Sequence, residues 1–68
     1  MKLSARNQLV GKIVEIKEGS VNAIVKLEIA KDIIISSTIS MDSVKELELK
    51  VGSEATAVIK ATSVMLMA

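Results

Sequence analysis

Apolar and polar residues alternate between positions 21 and 29. Val21, Ala23, Val25, Leu27 and Ile29 fall on one side, Asn22, Lys26 and Glu28 on the other, and Ile24 alone breaks the pattern. A period of two marks a strand with one buried face. Residues 9–16 before it are rich in β-branched side chains and predict a first strand over 7–17, with Gly11 marking a bulge or a close backbone approach. Lys17-Glu18-Gly19-Ser20 makes the turn between the two, with Gly19 free to take positive φ. A third strand is predicted over 33–39. Its Ile33-Ile34-Ile35 run is apolar on both faces, so a second apolar surface, a neighbouring subunit, is expected outside it. Residues 40–47 predict a short helix: Ser40 is the N-cap, Asp42 sits in the first turn where negative charge suits the dipole, and Val44 and Leu47 share a face. A loop carrying Gly52 leads to a fourth strand over 55–60, with Ala55, Ala57 and Ile59 on one side. Ala61 and Thr62 break that run, and residues 63–67 predict a short last strand. The order β-β-β-α-β-β is all-β with one short helix, the layout of an OB-fold-like five-stranded barrel.

Composition sharpens this. The chain has 68 residues, half of them apolar and none aromatic, with no Cys and no His. It is read as a single domain over 1–68, with a core that is marginal by itself. Disulfides and thiolate or imidazole metal sites are excluded, which leaves self-association as the means of hiding apolar surface. Nine basic against eight acidic residues give a net charge of +1, not the balance of a polyanion binder. Single-strand binders stack bases on aromatic rings, and there are none here, so nucleic acid is a poor fit. Met1-Lys2-Leu3 leads into polar residues and no apolar run approaches the roughly 20 residues of a membrane span, so a cytoplasmic protein without membrane partners is expected.

Without His or Cys, nucleophilic or general-base chemistry at neutral pH has no obvious agent, and the glycines form no phosphate loop. The chain is therefore read as a binder and not an enzyme. Its donors suit a tetrahedral oxyanion, whose burial needs many hydrogen-bond donors. Ser4, Ala5 and Arg6 precede the first strand. Ser40 and Ser43 lie at the helix start, and Lys60 and the amide of Ala61 at the end of the fourth strand. Each has an ordinary alternative: Ser40 as a cap, Ser43 as a helix residue, Lys60 as a solvated strand residue. The functional reading depends on their convergence.

The opening Ser4-Ala5-Arg6-Asn7-Gln8, followed by Leu9, Gly11 and a β-branched strand, resembles the start of the molbindins, the Mop family of small molybdate-binding proteins. Ile39-Ser40-Met41-Asp42-Ser43-Val44 and Val58-Ile59-Lys60-Ala61-Thr62-Ser63-Val64-Met65 resemble the family's middle and end, so the likeness covers essentially the whole chain. It implies a homohexamer built as a trimer of dimers, with the first strand shared between partners. Molybdate or tungstate would be held through its oxygens at subunit interfaces by Ser4, Ala5, Arg6, Ser40, Ser43, Lys60 and Ala61. No organic cofactor and no direct protein ligand to the metal atom are implied. The Gly19-Ser20-Val21 turn is the candidate for the family's second type of site. Ala61 stands where some relatives carry Ser, a change that keeps the backbone donor and loses a hydroxyl. The implied role is storage or homeostasis of molybdenum or tungsten by a free-standing protein. The competing reading is a structural module that assembles without ligand.

Overall fold

The computed structural model describes residues 6–68, in which strand β1 (Asn7–Glu18), β2 (Asn22–Ala30), β3 (Ile33–Ser40), helix α1 (Met41–Glu46) and β4 (Glu54–Ile59) follow in order. The strands form one sheet in the order β3-β2-β1-β4, each neighbouring pair antiparallel. β1 is the spine. Its first half, Asn7 to Lys12, pairs with β4, and its second half, Lys12 to Glu18, pairs with β2. Lys12 stands at the changeover, opposite Glu54 on one side and Glu28 on the other.

Just beyond Lys12 the register with β2 slips by one residue, leaving Val14 as a bulge. Bulges bend a strand and increase its twist, which lets β1 serve two sides of a curled sheet. The bend is tied down from outside the sheet: the Ile13 amide donates to Ser53 O at 2.9 Å and the Gly52 amide donates to Ile13 O at 2.7 Å. Gly11 is the close approach expected from the sequence. A Cβ there would lie 2.6 Å from the Glu28 carbonyl oxygen and 2.9 Å from Leu27 Cγ.

The alternating residues of β2 form the core. Ala23, Val25 and Leu27 are buried with Ile13 and Val44, and Ile16, Ile29, Ile39, Leu49, Ala55 and Ala57 pack around them. Val21, placed on the same side by the alternation, lies before β2 and is 70% exposed. Ile33 and Ile34 are half exposed on β3. No helix among the described residues is long and apolar enough to cross a membrane.

Three local expectations are corrected. Gly19 is not among the residues with positive φ, which are Asp32, Glu48 and Gly52; its need for glycine is spatial, since a Cβ would lie 2.5 Å from Asn22 O. Leu47 does not share the buried face of Val44: the helix ends before it and it is 65% exposed. Glu48 instead turns left-handed at φ 53, its amide bonding Lys45 O and the Leu49 amide bonding Val44 O, both at 3.1 Å. This Schellman closure delivers Leu49, not Leu47, to the core beside Val44. Finally, residues 63–67 do not form a fifth strand. A short 3-10 turn, Ala61–Ser63, follows β4, and Met65, Leu66 and Met67 beyond it are 93%, 95% and 98% exposed. A strand needs a ladder partner, and among the described residues no strand pairs with this segment.

The four strands therefore leave the barrel open on one side. β3 and β4, the outer strands, both line an apolar cleft of about 310 Å³ with Val25, Leu27 and Leu49 at its base. β1 is paired on one edge by β4 over Asn7–Lys12 and on the other by β2 over Lys12–Glu18, so each half keeps one edge without a partner among the described residues.

Candidate functional site

Ser4 and Ala5 lie outside the described residues. The other candidates fall into two groups, each held by a different local device. Arg6 precedes β1 and Lys60 follows β4, and the terminal pair of that ladder is Asn7 opposite Ile59. Continued by one residue, that register puts the Arg6 and Lys60 positions opposite each other at one strand end; both residues are exposed. The Asn7 side-chain amide adds a cross-strand bond to Ile59 O at 3.3 Å. Lys60 also caps the 3-10 turn: its carbonyl accepts from the Ser63 amide at 2.8 Å, and Ala61 O accepts from the Val64 amide at 3.2 Å. The first amides of a helical turn have no carbonyl within it, so the N–H groups of Ala61 and Thr62 are open donors among the described residues.

The second group is Ser40 and Ser43. Ser40 caps α1 as its sequence predicts, its Oγ accepting from the Ser43 amide at 3.0 Å. The two hydroxyls are themselves hydrogen-bonded at 2.9 Å, so this pair is a single half-buried unit. Capping is consequently true of Ser40 whatever else it does. The Gly19-Ser20-Val21 turn runs beside this unit: Asn22 pairs with Ser40 and the Met41 amide donates to Val21 O at 2.8 Å.

Within one chain the two groups do not converge through any hydrogen bond among the described residues. Along the ladders they sit at opposite ends, Arg6 and Lys60 beyond Asn7 and Ser40 level with the Glu18–Asn22 end. Their neighbours meet one feature in common, the open cleft. Ile39 and Ile59 both line it, and Ser40 and Lys60 are the residues that follow each of them. The electrostatics of the cationic end are simple. The ion pair present among the described residues, Lys26 to Glu15 at 3.9 Å, lies on the other half of β1, away from Arg6 and Lys60. Asn7 belongs to the opening Ser4–Gln8 motif but is not among the residues assigned to the oxyanion; its side-chain bond to Ile59 comes from the register.

The TOBE domain family matches residues 3–66 of the chain. A protein of Haemophilus influenzae described as a probable molybdenum-pterin-binding protein is 63% identical over 65 residues, spanning 96% of this chain and 94% of its own. The solved structure of MopII from Clostridium pasteurianum is 57% identical and superposes with a TM-score of 0.91 over 98% of this chain and 100% of that one. A molybdate binding protein from Sporomusa ovata, 35% identical, superposes with a TM-score of 0.94 over 100% of both chains. The chain belongs to the TOBE-domain family and, within it, to the molbindins, the Mop proteins. Its curled sheet with one short helix is the OB-like fold of those neighbours.

Proposed function

We propose that this protein binds molybdate or tungstate at interfaces between copies of itself, as an intracellular, cytoplasmic store or buffer of the metal. The observation that carries the reading is the pairing of Asn7 with Ile59, which brings the Arg6 and Lys60 positions to one strand end, beside amides of Ala61 and Thr62 that have no partner among the described residues. Two cations and backbone N–H groups at one strand end suit a doubly charged tetrahedral ion, bound by charge-assisted hydrogen bonds to its oxygens. Ser4 and Ala5 extend the same end of the chain. Ser40 and Ser43, at the other end of the ladders, complete the site from a second copy, and the Gly19–Val21 turn beside them is the candidate for a second kind of site. Relatives are named for a molybdenum pterin, but this chain has no aromatic ring on which to stack one. The inorganic ion is the better chemical fit.

Assembly follows from the open cleft. Residues 64–68 of another copy are its natural occupant: Val64, Met65, Leu66 and Met67 are apolar and exposed, and the cleft is apolar and flanked by two strand edges. Such a strand would lie between β3 and β4, which run in opposite directions, and so be parallel to one and antiparallel to the other. Repeated exchange of this kind, with the apolar Ile33-Ile34 surface covered as well, is compatible with a hexamer built as a trimer of dimers. The same observation favours one competing reading, an assembly module indifferent to anions.

Thermal unfolding with molybdate, tungstate, sulfate and phosphate separates the two. An anion bound only by the folded assembly raises its melting temperature by mass action, and sulfate, smaller at equal charge, should raise it less. A melting curve unmoved by molybdate and tungstate would leave only the assembly module. In isothermal titration, Arg6→Ala and Lys60→Ala should each weaken molybdate binding by about 1.5–3 kcal/mol, the worth of a hydrogen bond to a charged group. Wild-type affinity in both would remove the assigned site.

A further inference from the structure

The Arg6–Lys60 end poses an electrostatic problem before any anion arrives. Two like charges flank the last pair of the β1–β4 ladder, and among the described residues neither is joined to a carboxylate. Like charges directly opposite on neighbouring strands are destabilising. Strand ends also fray readily, because their outermost bonds are backed by nothing beyond them. Repulsion at a frayed end would splay the two side chains and empty the site of its preorganised charge.

One side chain opposes this. Asn7 is half-buried at the terminal pair, and its Nδ2 donates to the carbonyl oxygen of its own cross-strand partner, Ile59. The bond joins the residue after Arg6 to the residue before Lys60, and so spans the strand ends from which both cations leave. We infer that Asn7 is a positioning residue for the oxyanion site: its amide clasps β1 to β4 and holds Arg6 and Lys60 at a common register against their mutual repulsion. The inference rests on the oxyanion reading given above and adds a residue to it. Asn7 need not touch the anion. Its contribution is to keep two donors together, so that little ordering is left to be done on binding.

The experiment is isothermal titration of sodium molybdate into the full chain, as the assembled protein, for the wild type and for Asn7→Leu, Asn7→Gln, Lys60→Ala and the Asn7→Leu/Lys60→Ala double variant. Asn7→Leu keeps the size and removes the donor. It should weaken binding about fivefold, the factor that one neutral hydrogen bond is worth. Asn7→Gln, which retains an amide donor, should recover part of the loss. A purely structural role would cost the same in any background. A positioning role predicts that Asn7→Leu costs nothing further once Lys60 is Ala, because the repelling pair no longer exists. Amide hydrogen exchange adds a second readout: Asn7→Leu should accelerate exchange at Lys60 and Ala61 without changing it at the buried residues of β2. Wild-type affinity in Asn7→Leu, or an equal loss with and without Lys60, overturns the inference while leaving the anion site standing. A wild-type chain that gives no heat with molybdate overturns both.

Discussion

Replacing Ile13 tests how the barrel is held in shape. This side chain is 0% exposed and sits at the bend where β1 passes from β4 to β2. Ile13→Ala removes three carbons, a transfer loss of about 2.5 kcal/mol at about 0.8 kcal/mol per buried methylene. The cavity then matters as much as the methylenes. Backbone collapse into it is blocked, because the Ile13 N–H and C=O are both bonded to the Gly52–Ser53 loop. Roughly 70 Å³ left unfilled at about 24 cal/mol per Å³ adds about 1.7 kcal/mol, giving about 4 kcal/mol in all. A domain of this size holds roughly 3–10 kcal/mol, so the variant should lie close to unfolding. Urea titration followed by far-ultraviolet circular dichroism is the suitable assay, since the chain has no aromatic residue to report by fluorescence. Both proteins must be compared at one subunit concentration and free of anion, because assembly and ligand each shift the midpoint. Ile13→Val, losing one methyl, should cost about 1 kcal/mol and fixes the slope. A loss below about 1 kcal/mol for Ile13→Ala would refute the view that this buried bend, pinned by the loop, holds the sheet curled.

Gly11→Ala should cost about 1–3 kcal/mol, because its methyl would meet the Glu28 carbonyl oxygen at 2.6 Å and backbone cannot step aside cheaply; an unchanged urea midpoint would contradict that contact. Glu48→Gly should be stabilising by about 0.5–1 kcal/mol, the left-handed strain relieved less the entropy glycine loses on folding. Glu48 is exposed at φ 53, so no packing is lost, and a melting temperature that falls would show that its side chain does more than occupy the turn.

The elements inside one chain were legible because their signals are local. Alternation named the buried face of β2, β-branched density named β1, and Ser40 announced both the helix and its cap. What could not be read is where chain ends turn and what they meet. Asp32, in a short turn, is a residue type that tolerates the left-handed region, but nothing in the sequence at Glu48 says left-handed, and the helix stops early enough to send Leu49 inward in place of Leu47. Residues 63–67 carry a strand-like composition, but composition does not state whether a ladder partner exists. The resemblance named the right fold. The same limit applies to the site. Ser40 with Ser43 is a three-residue spacing and visible by eye, whereas Arg6 beside Lys60 depends on a register between residues 52 positions apart. That register is set by the whole sheet, and with it the place of Asn7.

The turn Ala61–Ser63 is where the chain leaves the sheet, and the residue that caps it, Lys60, is also a cation of the candidate site. Its setting decides the direction in which residues 64–68 set out. Under the proposed function, cargo and quaternary order would share this one pivot, and a change that loosens it would be felt in both.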